Sequence, residues 1–243
     1  MLTGFQNLRV AVLCSKRAPG LDELIHHPHL GKLFDIACVI TTDNVIEGAD
    51  RIEAAGVPVL VHPIRSFFAS HQASLRHLPM RREYDALTAT ILKQLGVDTV
   101  LLVGYCYVLT DAMLDAFPGR ILNVHDSDLT LKNALGKRRY VGLHSTRDAI
   151  ASGEPETRST IHYVTQEVDD GPVLLVSRGY PVAPFAHEAA LSGYFDIVKA
   201  YAYAHREWMM RDAWGALLVR ALEYVAAGAE DEDLTVMSRM AFV

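Results

Sequence analysis

The feature that most constrains this chain is a series of short, continuous Val/Ile/Leu runs with helical patterns between them. "LRVAVLC" (8–14), "FDIACVITT" (34–42), "VPVLVH" (57–62) and "DTVLLVG" (98–104) show almost no polar alternation. A strand with one face in water alternates apolar and polar side chains, whereas unbroken apolar runs belong to strands covered on both faces, as in the middle of a parallel sheet. Between the runs, "LDELI", "GADRIEAAG" and "RREYDALTATILKQLG" have a helical period, and the last two close on the glycine that commonly ends a helix. The alternation predicts an α/β fold with an open, doubly wound, mostly parallel, Rossmann-like sheet. "GRILNVH" (119–125) is the expected fifth strand. "STIHYVTQEVDDGPVLLVSRGYPV" reads as two strand-like halves that hinge at "VDDGP", a hairpin-like or bulged turn near the sheet edge.

From about Pro184 the pattern becomes helical, with Gly228 as its expected end, and the closing "AEDEDLTVMSRMAFV" reads as a surface segment with a tucked end. A chain of 243 residues, half of them hydrophobic, suffices for one large domain. The division is residues 1–183 as an α/β domain and 184–243 as a C-terminal helical segment packed on it. The aromatic and methionine stripe "YFDIVKAYAYAHREWMM" serves helix packing or a homodimer surface.

Several function classes lose support at once. The net charge is −6 with scattered basic residues, which gives no footprint for nucleic acid. No apolar stretch is long enough to span a bilayer, and the first residues lack a signal-peptide pattern, so the chain reads as cytoplasmic. Cys14, Cys38 and Cys106 are too few and too widely spaced for a disulfide framework or a zinc site. His26, His27 and His29 in "HHPH" read as an exposed helix end, and no metal site is expected. A dinucleotide oxidoreductase would fit the βαβ pattern, but no G-x-G-x-x-G follows the first strand.

The candidate chemistry sits in "GRILNVHDSDLT" (119–130). Residues two apart on a strand share a face, so Asn123 and His125 project together at the strand's carboxyl end, where open α/β sheets bind ligands. An amide donor beside an imidazole makes a clamp for an oxyanion. The same pair also serves as ordinary loop-capping residues in many proteins, and taken alone it leaves both readings open.

Two longer stretches, "DTVLLVGYCYVLTDAMLDAFPGRILNVH" and "GLHSTRDAIASGEPETRSTIHYVTQEVDDGPVLL", resemble the folate-dependent formyltransferases, and within them the phosphoribosylglycinamide formyltransferase family. The resemblance covers most of residues 8 to 183. It implies transfer of a formyl group from 10-formyltetrahydrofolate to a small amine, with glycinamide ribonucleotide or an amino sugar nucleotide as acceptor. It also implies a triad of Asn123, His125 and Asp169, with His162 matching the family's second histidine. The folate ring is expected between the segment Tyr105, Cys106, Tyr107, Val108 and Leu109 and the turn Gln166, Glu167, Val168, Asp170 and Gly171.

Three departures from the family concern the acceptor side. The first loop, "CSKRAPGLDEL", lacks the Gly-Ser-Asn element that holds a substrate phosphate, leaving Ser15, Lys16, Arg17 and Gly20 as an alternative anion site at a helix start. The loop after His125 is longer, and with Asp126, Asp128, Lys132, Lys137, Arg138 and Arg139 it predicts a rebuilt acceptor site. Asp170 replaces a glycine, with the expectation that it crowds the folate loop or adds a second carboxylate. Two alternatives stay open: a formyltetrahydrofolate hydrolase, in which water replaces the amine, and a non-catalytic folate- or nucleotide-binding protein.

Overall fold

Seven strands build one open sheet, and its order explains where a ligand can sit. The structure is a computed structural model that describes residues 7–228. In chain order the elements are β1 (Leu8–Cys14), α1 (Leu21–His26), β2 (Phe34–Thr41), α2 (Ala49–Ala54), β3 (Val59–Val61), α3 (Ile64–Ser70), α4 (Leu78–Gln94) and β4 (Thr99–Leu102). They continue with α5 (Asp111–Ala116), β5 (Ile121–His125), α6 (Ser145–Ala151), β6 (Glu156–Thr157), β7 (Thr160–Tyr163), β8 (Val173–Val176), β9 (Tyr180–Pro181), α7 (Pro184–Leu191) and α8 (Phe195–Ala226). The sheet runs β3-β2-β1-β4-β5-β7-β8, and β6 pairs with β9 in a separate ribbon. Strands β1 to β5 are parallel, β7 is antiparallel to β5, and β8 is antiparallel to β7. This is the expected open, mostly parallel α/β sheet.

Burial on both faces accounts for the unbroken apolar runs. Val10, Val12 and Cys14 of β1 join a core with α1 and α8, while Ala11 and Leu13 face the opposite core with α4 and α5. Strand β5 follows the same period: Leu122 and Val124 turn to the α8 side and Ile121 to the other. Strand β2 breaks the period. Val10 pairs with Ile36 and Ala11 with Cys38, so Ala37 is a bulge. The bulge lets Ile36 and Val39 share one face although they are three residues apart.

The C-terminal region is two helices, because Gly193 adopts φ 77° between α7 and α8 and interrupts the pattern. Helix α8 spans about 48 Å. Its Met209, Met210, Ala213, Trp214, Leu217 and Leu218 are buried in the same core as β1 and β5. Tyr194, Phe195, Ile197 and Tyr203 of the aromatic stripe stay exposed. The start of α1 meets α8 at Gly20, where a Cβ would lie 2.7 Å from the backbone nitrogen of Gly215. The closing segment "AEDEDLTVMSRMAFV" begins one residue past the described residues, so the expectation for it lies outside them. Among the described residues no helix is long and apolar enough to cross a membrane.

A buried ion pair ties α4 to the loop that leaves β4. Asp85, fully buried, accepts from Arg81 Nε at 3.2 Å and from the Thr110 backbone N–H and hydroxyl at 2.7 and 2.9 Å. Arg81 also donates to the Tyr105 hydroxyl at 2.9 Å. Residues 105 to 110 are thus fixed at both ends from a single helix. Removing one partner of a buried pair strands the other charge, so Asp85→Ala is expected to lower unfolding stability by ~3–5 kcal/mol. Denaturant titration checks this, and a loss under about 1 kcal/mol would show that water reaches the pair.

Candidate active site

Strand β5 ends on the site. Asn123 and His125 continue the side of Ile121 and point together past the strand's carboxyl end, as their spacing requires. The antiparallel partner β7 sets His162 opposite Asn123 in register. The Asn123 amide nitrogen lies 3.0 Å from His162 Nε2, and His162 Nδ1 lies 2.9 Å from the Tyr163 carbonyl oxygen. His162 Nε2 thus lies between the Asn123 side chain and the Asp169 carboxylate and orients Asn123.

Asp169 reaches the same place from the loop between β7 and β8. Its Oδ2 is 3.6 Å from His125 Nδ1, and its Oδ1 is 3.6 Å from His162 Nε2. The Gly142 backbone N–H donates to Oδ2 at 2.7 Å. Burial opposes a charge on Asp169, but the two imidazoles and this N–H outweigh it and hold the carboxyl down at about 2. The other nitrogen of His125, Nε2, faces the Tyr140 carbonyl at 3.3 Å.

The turn that carries Asp169 is itself held in place. Asp169 has φ 51°, in the left-handed region. Arg138 donates to the Asp169 carbonyl, and its other terminal nitrogen donates to the Gly171 carbonyl at 2.7 Å. Gly171 cannot be replaced here, because a Cβ would overlap the Tyr163 carbonyl. Asp170 points outward, is 65% exposed and lies 3.8 Å from Arg138. It neither crowds the cavity nor adds a second carboxylate to it, contrary to expectation.

A cavity of about 240 Å³ opens at this strand end. Its wall includes Asn123, His125, His162 and Asp169, the whole segment 105–109, and 166–169. Asp170 and Gly171 lie outside the wall, so of the expected turn residues Gln166, Glu167 and Val168 face it. Val108 and Val168, one on each expected folate segment, are 58% and 49% exposed. Such apolar surface flanking a cleft suits a flat heterocycle. Among the described residues no group of three or more His, Cys, Asp or Glu is arranged to hold a metal ion.

The first loop is used differently from the anion site expected there. Ser15 Oγ accepts from the Cys106 backbone N–H at 3.0 Å and pins the 105–109 segment to β1. Lys16 pairs with Glu47 at 3.5 Å, and Arg17 pairs with Glu207 of α8. None of Ser15, Lys16, Arg17 or Gly20 lines the cavity.

Sequence reasoning missed Tyr140, Gly142 and Arg206 as parts of the site. Tyr140 and Gly142 act through main-chain groups, which leave no residue signature, and Arg206 enters from α8, 80 residues after its partner Asp126.

Comparison with known proteins identifies the family. A family model described as formyl transferase matches residues 8–192. A phosphoribosylglycinamide formyltransferase of Haemophilus influenzae is 32% identical over 177 residues, 72% of this chain and 74% of that protein. The formyltetrahydrofolate deformylase of Bacillus subtilis is 29% identical over 68% of this chain, which spans 48% of that protein. The crystal structure of glycinamide ribonucleotide transformylase 1 from Symbiobacterium toebii superposes with a TM-score of 0.61 at 29% identity, covering 84% of this chain and 86% of that one. With its sheet and the match over 8–192 in agreement, the chain belongs to the formyl transferase family and is an enzyme of that family.

Proposed function

We propose that the chain moves a formyl group from 10-formyltetrahydrofolate to a small amine, with Asn123, His125 and Asp169 as its catalytic residues. The observation that carries this reading is the convergence of Asn123, His125, His162 and Asp169 on one end of a cavity flanked by two partly apolar segments. The donor supplies an activated formyl carbon. Residues 105–109 and 166–168 would hold its ring, much of the contact coming from main chain.

Attack of a neutral amine on the formyl carbon forms one C–N bond and puts negative charge on the formyl oxygen. The Asn123 amide and the His125 ring, both on the cavity wall, would bracket the position where that charge develops. Asp169, ionised in the resting site, orients the His125 ring and, directly or through water, relays the proton of the new ammonium towards the leaving nitrogen. The second C–N bond then breaks, and the departing tetrahydrofolate nitrogen takes up a proton. Glycinamide ribonucleotide is the first acceptor to assay and an amino sugar nucleotide the second. The likeness to a deformylase keeps one rival, in which water replaces the amine; formate release that no amine diverts would mark it.

Removing one oxyanion donor typically costs a factor of ~10²–10³ in rate. His125→Asn and Asp169→Ala should each lose transfer on that scale. Both should keep the stabilisation from a stable formylfolate analogue, ~2.7 kcal/mol at a hundredfold the dissociation constant. Near-normal transfer by both variants would remove the triad.

Asp169 also predicts a pH dependence of stability. Its folded carboxyl is depressed to about 2, so its contribution is present above the unfolded carboxylate range and is lost as pH falls through the folded value. The stability gap between the wild-type chain and Asp169→Asn should be full near neutral pH and close between about pH 4 and about pH 2. Chemical denaturation across that range is the check, and a gap that widens in acid would reverse the assignment.

A further inference from the structure

Asp126 follows His125 directly and continues the other face of β5, the side of Leu122 and Val124 that meets α8. It is buried, and every oxygen is engaged from the protein. Ser145 Oγ donates to Oδ1 at 2.9 Å, Thr146 Oγ1 donates to the carbonyl at 2.6 Å, and Arg206 Nε donates to Oδ2. Arg206 lines the cavity with its side chain 32% exposed, and neither of its terminal nitrogens bonds to any described residue. A buried carboxylate thus holds Nε of a guanidinium that lines the cavity, with its terminal nitrogens left over. An arginine fixed in this way is ready for bidentate capture of a planar or tetrahedral anion.

The site expected for an acceptor anion is not available in the same way. Arg17 is committed to Glu207 and Lys16 to Glu47, and neither residue lines the cavity. We propose that Arg206, braced by Asp126, is the anion-binding residue of the acceptor subsite, and that the acceptor is a compact amine carrying a carboxylate or phosphate a few bonds from its nitrogen, in place of the nucleotide amines, whose phosphates lie many bonds from theirs. Compactness follows from the cavity, since Arg206 and His125 line the same space of about 240 Å³, which must also take the formyl end of the donor. This inference rests on the transferase reading of the same cavity.

The experiment is calorimetric binding of β-alanine, phosphoethanolamine and ethanolamine to the chain saturated with a stable formylfolate analogue. The three amines share a two-carbon spacer and differ in the group at its far end. One or both anionic amines should bind at least about tenfold more tightly than ethanolamine, and the tighter one tells carboxylate from phosphate. Losing a charge-assisted pair should cost about tenfold to a hundredfold, so Arg206→Gln should erase that preference. Arg206→Lys should restore part of it, and both variants should keep the affinity for the folate analogue. Equal binding of all three amines, no binding of any, or an equal loss for all three in Arg206→Gln would overturn the proposal. Formyl transfer to the bound amine is measured separately. Selective binding without transfer would remove the transferase reading and leave the assignment of Arg206 in place.

Discussion

The alternation of side chains along β5 is the constraint on which the site depends. Five residues, Ile121–His125, send Leu122 and Val124 into the core under α8 and keep Ile121, Asn123 and His125 on the other face. The apolar members fix the register, because a slip of one residue would expose both to the wrong side. The polar members are then aimed without any interaction of their own being needed. Pairing with β7 adds His162 beside Asn123 by the same logic. A strand buried on both faces is among the most rigid supports available, which suits donors that must already be in place when charge appears.

Charge in this molecule is arranged for position more than for stability. Asp169 is nearly buried and would be costly alone, yet two imidazoles and one N–H surround it. The partly exposed pairs Lys16–Glu47 and Arg139–Glu154 contribute little free energy individually. Arg138 is the clearest case of charge set for position. It donates to two main-chain carbonyls of the turn that bears Asp169, so a basic residue of the loop after β5 braces the proposed catalytic carboxylate.

Much of the fold was legible in the sequence because buried parallel strands are written as apolar runs. "LRVAVLC" and "ILNVH" coincide with β1 and β5 at the residue level. The bulge at Ala37 was not legible, since "FDIACVITT" is apolar on either side of it. Helices α3, α5 and α6 have six or seven residues each, too short for a period to declare itself against weak propensities. The same boundary runs through the site. Asn123 and His125 share a local repeat, so their common direction follows from spacing alone. The approach of Asp169 and Arg206 to them is set by the tertiary path of a hairpin and of a long helix, and no local pattern encodes it. Resemblance supplied Asp169, but it pointed the acceptor anion to a first loop whose charges are already paired.

The backbone at Asp169 shows how the site reconciles conformation with chemistry. A left-handed residue with a Cβ costs on the order of 1–2 kcal/mol, and aspartate is among the side chains that tolerate it. Glycine would remove that cost but carries no carboxylate, so the turn keeps the strained residue and fixes it from outside. Arg138 holds the carbonyls of Asp169 and Gly171, while Gly142 holds the side chain. Gly171, two residues on, supplies the close approach to Tyr163 that no other residue allows. The neighbouring Asp170 turns to solvent and to Arg138, so the replacement of a glycine there leaves the cavity unchanged. Under the proposed reading, a rebuilt acceptor side and a retained donor side are compatible, because a main-chain N–H and one arginine of the loop after β5 hold the turn that carries Asp169.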